Sequence, residues 1–273
     1  MTPVSRRIAE HLLAAGPEVV LLSAADLAEE LGTSDASIIR TAKALGYAGL
    51  ADLRRAISAS ARDVSLEERL RRSLTEGRES ESILHSLIDH HVGALDGTAR
   101  RIGPALFQQA VDVLAPAGRI FWSGVGPSAA VAEYGATLGS RLGHPSTVVR
   151  GAGTDLADEL LAVSPGDAVV LLAYGRTNSR VRAVVDRCEA LSVPIVLVTD
   201  AVPKELADRV GTILPCGRGT PGLFSSHGTT LVLIEALVLG LAAVDPPRAE
   251  ASLADLNDLR AAVAGRRRDV YLA

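Results

Sequence analysis

Cysteine and aromatic residues are scarce in this sequence of 273 residues. The two cysteines, Cys188 and Cys216, are too few for a disulfide framework and lack CxxC spacing, so we expect a reducing compartment and no structural zinc site. Aromatic residues make up only 3% of the chain, and the core must therefore be packed mainly from Ala, Leu, Val and Ile. Because 48% of the residues are hydrophobic, a globular fold is expected.

The sequence also lacks a large excess of charge and a long apolar run. Lys and Arg number 28 against 32 for Asp and Glu, and the net charge of −4 argues against a polybasic arm or a membrane-surface protein. Arg6, Arg7 and Glu10 interrupt any signal peptide. The most apolar stretch, Thr229–Val244, contains Glu235 and is shorter than the roughly 20 residues that a bilayer span needs. We therefore expect a cytoplasmic protein with no membrane partner.

The two ends of the chain show different patterns. Residues 1 to about 60 predict only short helices, whereas from Arg119 onward short apolar runs alternate with helical stretches. The predicted strands are Arg119–Gly124, Ser146–Val149, Ala168–Ala173, Ile195–Thr199 and Thr212–Leu214. The predicted helices between and after them are Ser128–Leu142, Asp155–Val163, Ser179–Leu191, Lys204–Val210 and Thr229–Val244. This alternation predicts a parallel sheet covered on both faces, with ligands outside the carboxyl ends of its strands.

Charged helical segments connect and end these regions. From Ser65 to about Ala115 the pattern is helical, with breaks expected at Gly77, Gly93, Gly97 and Gly103-Pro104. A last helical stretch runs from Pro246 to about Ala264 and is followed by Arg266-Arg267-Arg268, a triplet typical of a solvated helix end.

Residues 23–46 predict two short helices separated at Gly32. Ile38, Ala42 and Leu45, spaced i, i+4 and i+7, form the inner stripe of the second helix. The other side carries Ser37, Arg40 and Ala44, flanked by Thr41 and Lys43, and Thr33 or Ser34 is suited to cap the helix. Small hydroxyls with two cations suit a helix that enters the major groove of DNA, where Arg and Lys reach guanine or phosphate. An ordinary helical hairpin with a solvated face is the alternative.

The following helix supports the DNA-binding interpretation. It begins after Gly46-Tyr47 with Leu50 and Leu53 on its apolar side and Arg54-Arg55 on its exposed side. From Asp35 to Arg55 the segment has four basic and two acidic residues, a local excess of +2 in an acidic chain. The predicted DNA-contacting residues are Thr33, Ser34, Ser37, Arg40, Thr41, Lys43 and Arg54.

The run from Thr33 to Arg55 resembles the N-terminal helix-turn-helix of the RpiR family of bacterial regulators. The matching residues are Ser34, Ser37, Arg40, Lys43 and Leu45-Gly46-Tyr47. The family couples this module to a sugar isomerase (SIS) domain. The resemblance implies an α/β protein, with an all-α helix-turn-helix domain over residues 1–62, a helical linker and start of the SIS domain over 63–117, and a doubly wound, five-stranded parallel-sheet SIS domain over 118–265 that binds the effector.

A glycine-rich turn follows the first predicted strand. It reads Gly124-Val-Gly126-Pro-Ser128, and Pro127 is suited to start the next helix. Glycine lets the backbone approach an anion, the helix N-terminus offers free N–H groups, and Ser128 adds a hydroxyl. A dinucleotide-binding turn is the alternative, although the second strand ends at Arg150 without a carboxylate for a ribose. The stretch resembles the first SIS motif, which implies sugar phosphate binding.

The second SIS motif departs from the family pattern. That pattern is Ser-x-Ser-Gly-x-Thr, whereas Leu172 and Tyr174 replace the serines here and Gly175 and Thr177 remain. Losing two small donors should weaken or reshape a phosphate cradle, because a buried charged oxygen without a partner costs about 1–3 kcal/mol or more. The resemblance implies ligand contacts by Gly124, Gly126, Ser128, Tyr174, Gly175, Thr177 and Ser179. We expect an altered effector, with a phosphorylated sugar favoured.

No residue pattern indicates catalysis. Isomerisation of a sugar needs an acid/base group, but no motif surrounds the candidates Glu133, Glu159, His227 and Glu235. The group His85, Asp89, His90 and His91 lacks a metal-ligand spacing. We predict a transcription regulator, not an enzyme, that needs no cofactor or metal and binds operator DNA and a small-molecule effector as a homodimer or homotetramer. An SIS-fold sugar phosphate isomerase and a regulator with a lost or non-phosphorylated effector are the alternatives.

Overall fold

The chain forms two compact units. The computed structural model describes residues 2–14, 24–54, 56, 66–76, 80–175, 177–201, 204–218 and 225–264. The first unit comprises residues 1–103 with the segments 199–202 and 215–229, and the second comprises residues 104–198, 203–214 and 230–273.

The N-terminal part of the first unit is helical. It contains α1 (Pro3–Ala14), α2 (Ala24–Glu30), α3 (Asp35–Ala44), a helical turn over residues 50–54, α4 (Leu66–Glu76) and α5 (Ser80–Arg101). The predicted breaks at Gly93 and Gly97 are wrong, because α5 passes through both; a helical glycine costs only about 1 kcal/mol relative to alanine. The predicted break at Gly103 is confirmed, and Gly77 lies outside the described residues.

Two glycines end α2 and α3 in the same way. Gly32 and Gly46 have φ angles of +57° and +92°. The next residue in each case donates its N–H back into the last helical turn, from Thr33 to the Ala28 carbonyl at 2.8 Å and from Tyr47 to the Ala42 carbonyl at 3.2 Å. These bonds satisfy carbonyl groups that the helix end leaves free, and they fix the angle at which α3 leaves the domain core.

A small apolar core holds these helices together. Its buried members are Ile8, Leu12, Leu27, Ala28, Ile38, Ala42, Leu50 and Leu53. The predicted inner stripe of α3 is confirmed at Ile38 and Ala42 but wrong at Leu45, which caps the helix and is 37% exposed. The stripe ends one turn earlier because the chain turns away at Gly46.

The second unit is built on a five-stranded sheet. Its strands are β1 (Ile120–Gly124), β2 (Ser146–Val149), β3 (Ala168–Leu172), β4 (Ile195–Thr199) and β5 (Thr212–Pro215), in the order β2-β1-β3-β4-β5. The pairs β1–β2, β1–β3 and β3–β4 are parallel. All five predicted strands are confirmed to within one residue at each end. This order is a doubly wound one, in which the chain reverses direction between β1 and β3.

Helices cover both faces of the sheet. They are α6 (Pro104–Leu114), α7 (Pro127–Arg141), α8 (Thr154–Leu161), α9 (Ser179–Leu191), α10 (Lys204–Ala207), α11 (Gly228–Val244) and α12 (Pro246–Ala264). The arginine triplet at 266–268 lies outside the described residues. Among the described helices none is by itself long and apolar enough to cross a membrane, and α11 and α12 pass that test only as a pair bent by 109°.

One face of the sheet carries an aliphatic core and the other carries the single tryptophan. Phe121 and Leu171 lie in a cluster with residues of α8 and α9, among them Val184. On the opposite face Trp122 is completely buried, and its Nε1 donates to Ser146 Oγ at 3.2 Å. The ring packs against α7 at Gly135, where a Cβ atom would be 2.5 Å from the ring carbon Cζ3.

We expect Gly135→Ala to destabilise the second unit by about 1–3 kcal/mol, because the added methyl group overpacks the contact with Trp122. Urea unfolding followed by Trp122 fluorescence measures this directly, since the chain has one tryptophan. Ser140→Ala, at an exposed position of the same helix, is the matched control and should leave stability unchanged or slightly raised. Equal stability of the Gly135 variant and the wild type would contradict the packing argument.

Candidate functional site

Helix α3 presents a polar face away from the domain core. Arg40 and Lys43 are exposed, whereas Ile38 and Ala42 are buried on the other side. Ser34 caps the helix, because its Oγ accepts the N–H of Ser37 at 3.3 Å. The exposed face therefore carries two cations beside a capped helix N-terminus.

The side chains on this face are already connected to one another. Ser37 Oγ lies 3.0 Å from Ser34 Oγ, and Arg40 Nη2 donates to Ser37 Oγ at 3.2 Å. This network directs the Arg40 guanidinium along the helix surface. An exposed guanidinium with several N–H donors suits guanine edges and phosphate groups.

Thr41 does not belong to the exposed set predicted from the sequence. It is 1% exposed, and its Oγ1 donates to the Ser37 carbonyl at 2.8 Å. A β-branched residue can bond the preceding turn in this way, which turns its hydroxyl inward. Thr41 therefore stabilises α3 from within the domain and is unavailable for DNA. Of the other predicted contacts, Thr33 and Arg54 are both half-buried.

The sheet brings the two predicted ligand loops together. Gly124, the last residue of β1, is in register with Leu172, the last residue of β3, so the loops that follow them lie side by side at the carboxyl edge. A Cβ atom on Gly124 would be 2.4 Å from the Ser128 carbonyl oxygen, which explains the glycine. Gly126 has a φ angle of +61° and directly precedes α7.

Ser128 has a different role from the predicted one. It is 3% exposed, its Oγ accepts the Val125 N–H at 2.9 Å, and it donates to the Val125 carbonyl at 2.9 Å. The single hydroxyl proton is therefore used within the turn. Ser128 holds the turn closed, and in this state it has no proton to donate to a ligand.

The loop after β3 combines a fixed phenol with an unsatisfied hydroxyl. Leu172 is buried at the end of the strand, and the Tyr174 hydroxyl lies 2.8 Å from Thr230 Oγ1. Gly175 has a φ angle of +78°. Thr177 Oγ1 is buried and has no hydrogen-bond partner among the described residues. An unsatisfied donor at this edge is what a bound anion would use.

A capping residue next to Thr177 was missed by the sequence reasoning. Asn178 caps α9 by accepting the Val181 N–H at 3.0 Å. Ser179, the predicted ligand residue, is exposed as the first residue of the helix. Arg176 lies outside the described residues. An Asn before a helical pattern is a recognised N-cap signal, so Asn178 could have been predicted.

A second glycine turn follows β2 and repeats the geometry of the first. Gly153 has φ and ψ of +60° and −128°, against +61° and −131° for Gly126, and each residue precedes a helix. A Cβ atom on Gly151 would be 2.7 Å from the Asp155 carbonyl oxygen, matching the close approach at Gly124. The GxG spacing at 151–153 was readable from the sequence and was overlooked.

Two charged side chains clamp the segment before this second turn. Glu159 accepts the N–H groups of Arg150 and Gly151 at 2.6 and 2.8 Å. Arg180 donates to the carbonyl groups of Gly151 and Arg150 at 2.6 and 3.1 Å, and also to that of Val149. Burial lowers the pKa of Arg180, and Glu159 opposes the shift. The segment is thus held by both its N–H and its C=O groups.

The acid/base candidates of the sequence have structural partners. Glu159 is used in the clamp, and Glu133 forms an ion pair with Arg150 at 2.6 Å. Glu235 accepts a hydrogen bond from the Tyr134 hydroxyl at 2.7 Å, which raises the pKa of Tyr134. Burial, and then Arg218, lowers the pKa of His227 to about 4.

Metal ligands do not converge in the part of the chain that the structure describes. No group of three or more His, Cys, Asp or Glu side chains is placed to hold an ion there. His85, His90 and His91 all lie on α5.

Two family models match the chain. A helix-turn-helix domain of the rpiR family matches residues 1–63, and an SIS domain matches residues 113–240. A curated relative is an uncharacterized HTH-type transcriptional regulator of Caldanaerobacter subterraneus subsp. tengcongensis, 28% identical over 200 residues that cover 72% of this chain and 69% of the relative.

Two solved structures share the fold. The Vibrio vulnificus NanR protein complexed with ManNAc-6P has a TM-score of 0.58 and 22% identity, and the match covers 96% of this chain and 94% of that one. The sugar isomerase domain of an RpiR transcription factor from Sphaerobacter thermophilus has a TM-score of 0.58 and 23% identity, with 64% of this chain and 97% of that one covered.

Proposed function

The chain belongs to the RpiR family, with a helix-turn-helix domain followed by an SIS domain, and we propose that it is a transcription regulator that binds operator DNA and senses a carbohydrate metabolite. The observation that carries this proposal is the exposed face of α3. Arg40 and Lys43 lie there beside the Ser34 cap, and the buried Ile38 fixes that face outward. This arrangement supports a recognition helix in a major groove.

The effector is proposed to bind at the carboxyl edge of the sheet. Gly124 and Gly126 allow a close approach to the α7 N-terminus, and Thr177 offers an unsatisfied hydroxyl. The complex of the similar NanR protein with ManNAc-6P supports a sugar phosphate as the ligand class. The closed Ser128 hydroxyl and the replaced serines support a binding mode altered from the family pattern.

Regulation is favoured over catalysis because the candidate acid/base groups have other partners. Glu133 and Glu159 hold Arg150 and the turn after β2, and Glu235 is bonded to Tyr134. We further propose a cytoplasmic homodimer or homotetramer, since two recognition helices in successive major grooves need two-fold symmetry and a spacing of about 34–36 Å.

We expect Tyr174→Ser to strengthen binding of a sugar phosphate about tenfold. The substitution removes a bulky ring and restores a small donor of the family type, and one well-placed bond to a charged oxygen is worth roughly that factor. Isothermal titration of a panel of phosphorylated sugars measures the change. Tyr174→Phe keeps the ring and is the matched control, for which no gain is expected. A sugar phosphate that binds both wild type and the Ser variant equally tightly would contradict an altered cradle.

The whole proposal is tested by fluorescence anisotropy with DNA from upstream of the protein's own gene. The full chain should bind this DNA more tightly than unrelated DNA, and at least one sugar phosphate, but not its unphosphorylated form, should change the dissociation constant. Absence of specific binding would overturn the regulatory function. Turnover of a sugar phosphate that is lost in a folded His227→Ala or Glu235→Ala variant would establish the isomerase instead.

A further inference from the structure

Another group of polar side chains surrounds the beginning of α11, and it shares no residue with the predicted ligand set. The His91 ring from α5 lies directly against Gly228, where a Cβ atom would be 2.5 Å from His91 Cε1. Glycine is therefore required at the first residue of α11. The helix has 17 residues, and its first N–H groups have no partner within the helix and carry a partial positive charge.

Two buried polar atoms in this group lack partners. His91 Nδ1 and Thr229 Oγ1 are inaccessible to solvent and form no hydrogen bond among the described residues. Thr229, the second residue of α11, is 1% exposed. Buried polar groups are nearly always satisfied in folded proteins, so two unsatisfied atoms at one helix N-terminus indicate a missing ligand.

Ser226 determines what His91 offers to that ligand. Ser226 Oγ lies 3.3 Å from His91 Nε2. When the hydroxyl donates to Nε2, the ring proton is on Nδ1, which becomes a donor. Thr229 has a hydroxyl proton as well, and the first turn of α11 adds N–H groups. All the free groups are then donors, and the complementary ligand is an acceptor with negative charge.

The charges near this position also favour an anion. Arg69 of α4 donates through Nη1 to Ser225 Oγ at 3.4 Å and brings a guanidinium to the segment before α11. The neighbouring carboxylate of Asp200 is ion-paired with Arg218 at 2.8 Å. Burial, together with Arg218, lowers the pKa of His227 to about 4, so that this imidazole is uncharged at neutral pH. The nearby acidic charge is therefore neutralised while Arg69 adds a positive one.

We propose that the beginning of α11 binds an oxyanion, the phosphoryl or carboxylate group of a small metabolite, through His91, Thr229 and the first N–H groups of the helix. His91 and Arg69 lie on the helices that follow the helix-turn-helix domain in the chain. An occupied site would tie these helices to the first turn of α11. The inference does not depend on DNA binding, because the site is complete whether or not the chain is a regulator.

The test uses the full chain and inorganic phosphate as the probe, with acetate as a second arm and chloride to match the ionic strength. Thermal unfolding midpoints and the imidazole NMR signals are followed, and the His91 signals are assigned with His91→Phe. Phosphate or acetate should raise the midpoint and shift the His91 signals, and the stronger of the two assigns a phosphoryl or a carboxylate ligand.

Thr229→Val should have two effects of opposite sign. Without an anion it should raise the unfolding midpoint, because it removes an unsatisfied buried hydroxyl, and it should weaken anion binding about tenfold. Thr229→Ser keeps the hydroxyl and should bind like the wild type. The proposal is overturned if neither anion shifts the His91 signals, if the midpoint rises without such a shift, or if the Val variant binds as tightly as the wild type.

Discussion

Replacing Arg40 by alanine is expected to weaken operator binding by about 1–3 kcal/mol, which is a loss of roughly fivefold to 150-fold in affinity. The reason is that Arg40 is exposed on the outer face of α3, where its guanidinium is supported by Ser37 Oγ at 3.2 Å. The fold should be unaffected, because the buried side of α3 is formed by Ile38, Thr41 and Ala42. Anisotropy titrations with operator and unrelated DNA measure the change in affinity and in specificity.

Two further variants separate base recognition from simple charge. Lys43→Ala should weaken binding to all DNA sequences alike and reduce the dependence on salt by about one counterion, as expected for a phosphate contact. Arg141→Ala removes one exposed positive charge from α7 in the second unit and should leave operator binding within about twofold. If Arg141→Ala weakened binding as much as Arg40→Ala, α3 would not be the recognition helix.

The sequence predicted best those features that depend on local chemistry. The strands were located within a residue because each is a short apolar run bounded by Gly, Pro or Asp. The ends of α2 and α3 were signalled by Gly32 and Gly46, whose positive φ angles only glycine adopts readily. Such signals are confined to a few neighbouring residues and therefore survive folding unchanged.

Hydroxyl groups were predicted least well, because their role depends on where a single proton is directed. Thr41 and Ser128 were both expected to face a ligand, yet each bonds to the backbone a few residues away. Thr177 keeps an unsatisfied hydroxyl only because the loop after β3 leaves no partner near it in the described chain. Residue type and spacing were the same kind of evidence in all three cases, and only the coordinates distinguish them.

The clamp around the turn after β2 illustrates a second limit. Glu159 and Arg180 come from different helices, α8 and α9, and converge on the segment from Val149 to Gly151. No periodicity links residues on separate helices, so their meeting depends on the sheet order. The sequence indicated Glu159 as a carboxylate in a helix but gave no indication that it holds a backbone turn.

Gly124→Ala is expected to abolish the response to the effector while leaving DNA binding intact. The added methyl carbon would be 2.4 Å from the Ser128 carbonyl oxygen and 2.9 Å from the Ala129 nitrogen, both of them backbone atoms. Backbone cannot rotate aside as a flexible side chain can, so the first turn of α7 must move away from the sheet edge. A displaced anion-binding turn should reduce effector affinity by about 3 kcal/mol, or more than 100-fold.

The measurement pairs calorimetric titration of the effector with anisotropy titration of operator DNA. Val125→Ala is the matched control, because Val125 is 45% exposed in the same turn and contributes its N–H and C=O groups, not its side chain, to the bonds with Ser128. That control should bind effector normally. Operator affinity should be the same in all three proteins, since α3 belongs to the other unit. A Gly124→Ala protein that still answered the effector at wild-type concentrations would mean that the turn after β1 is not part of the sensing site.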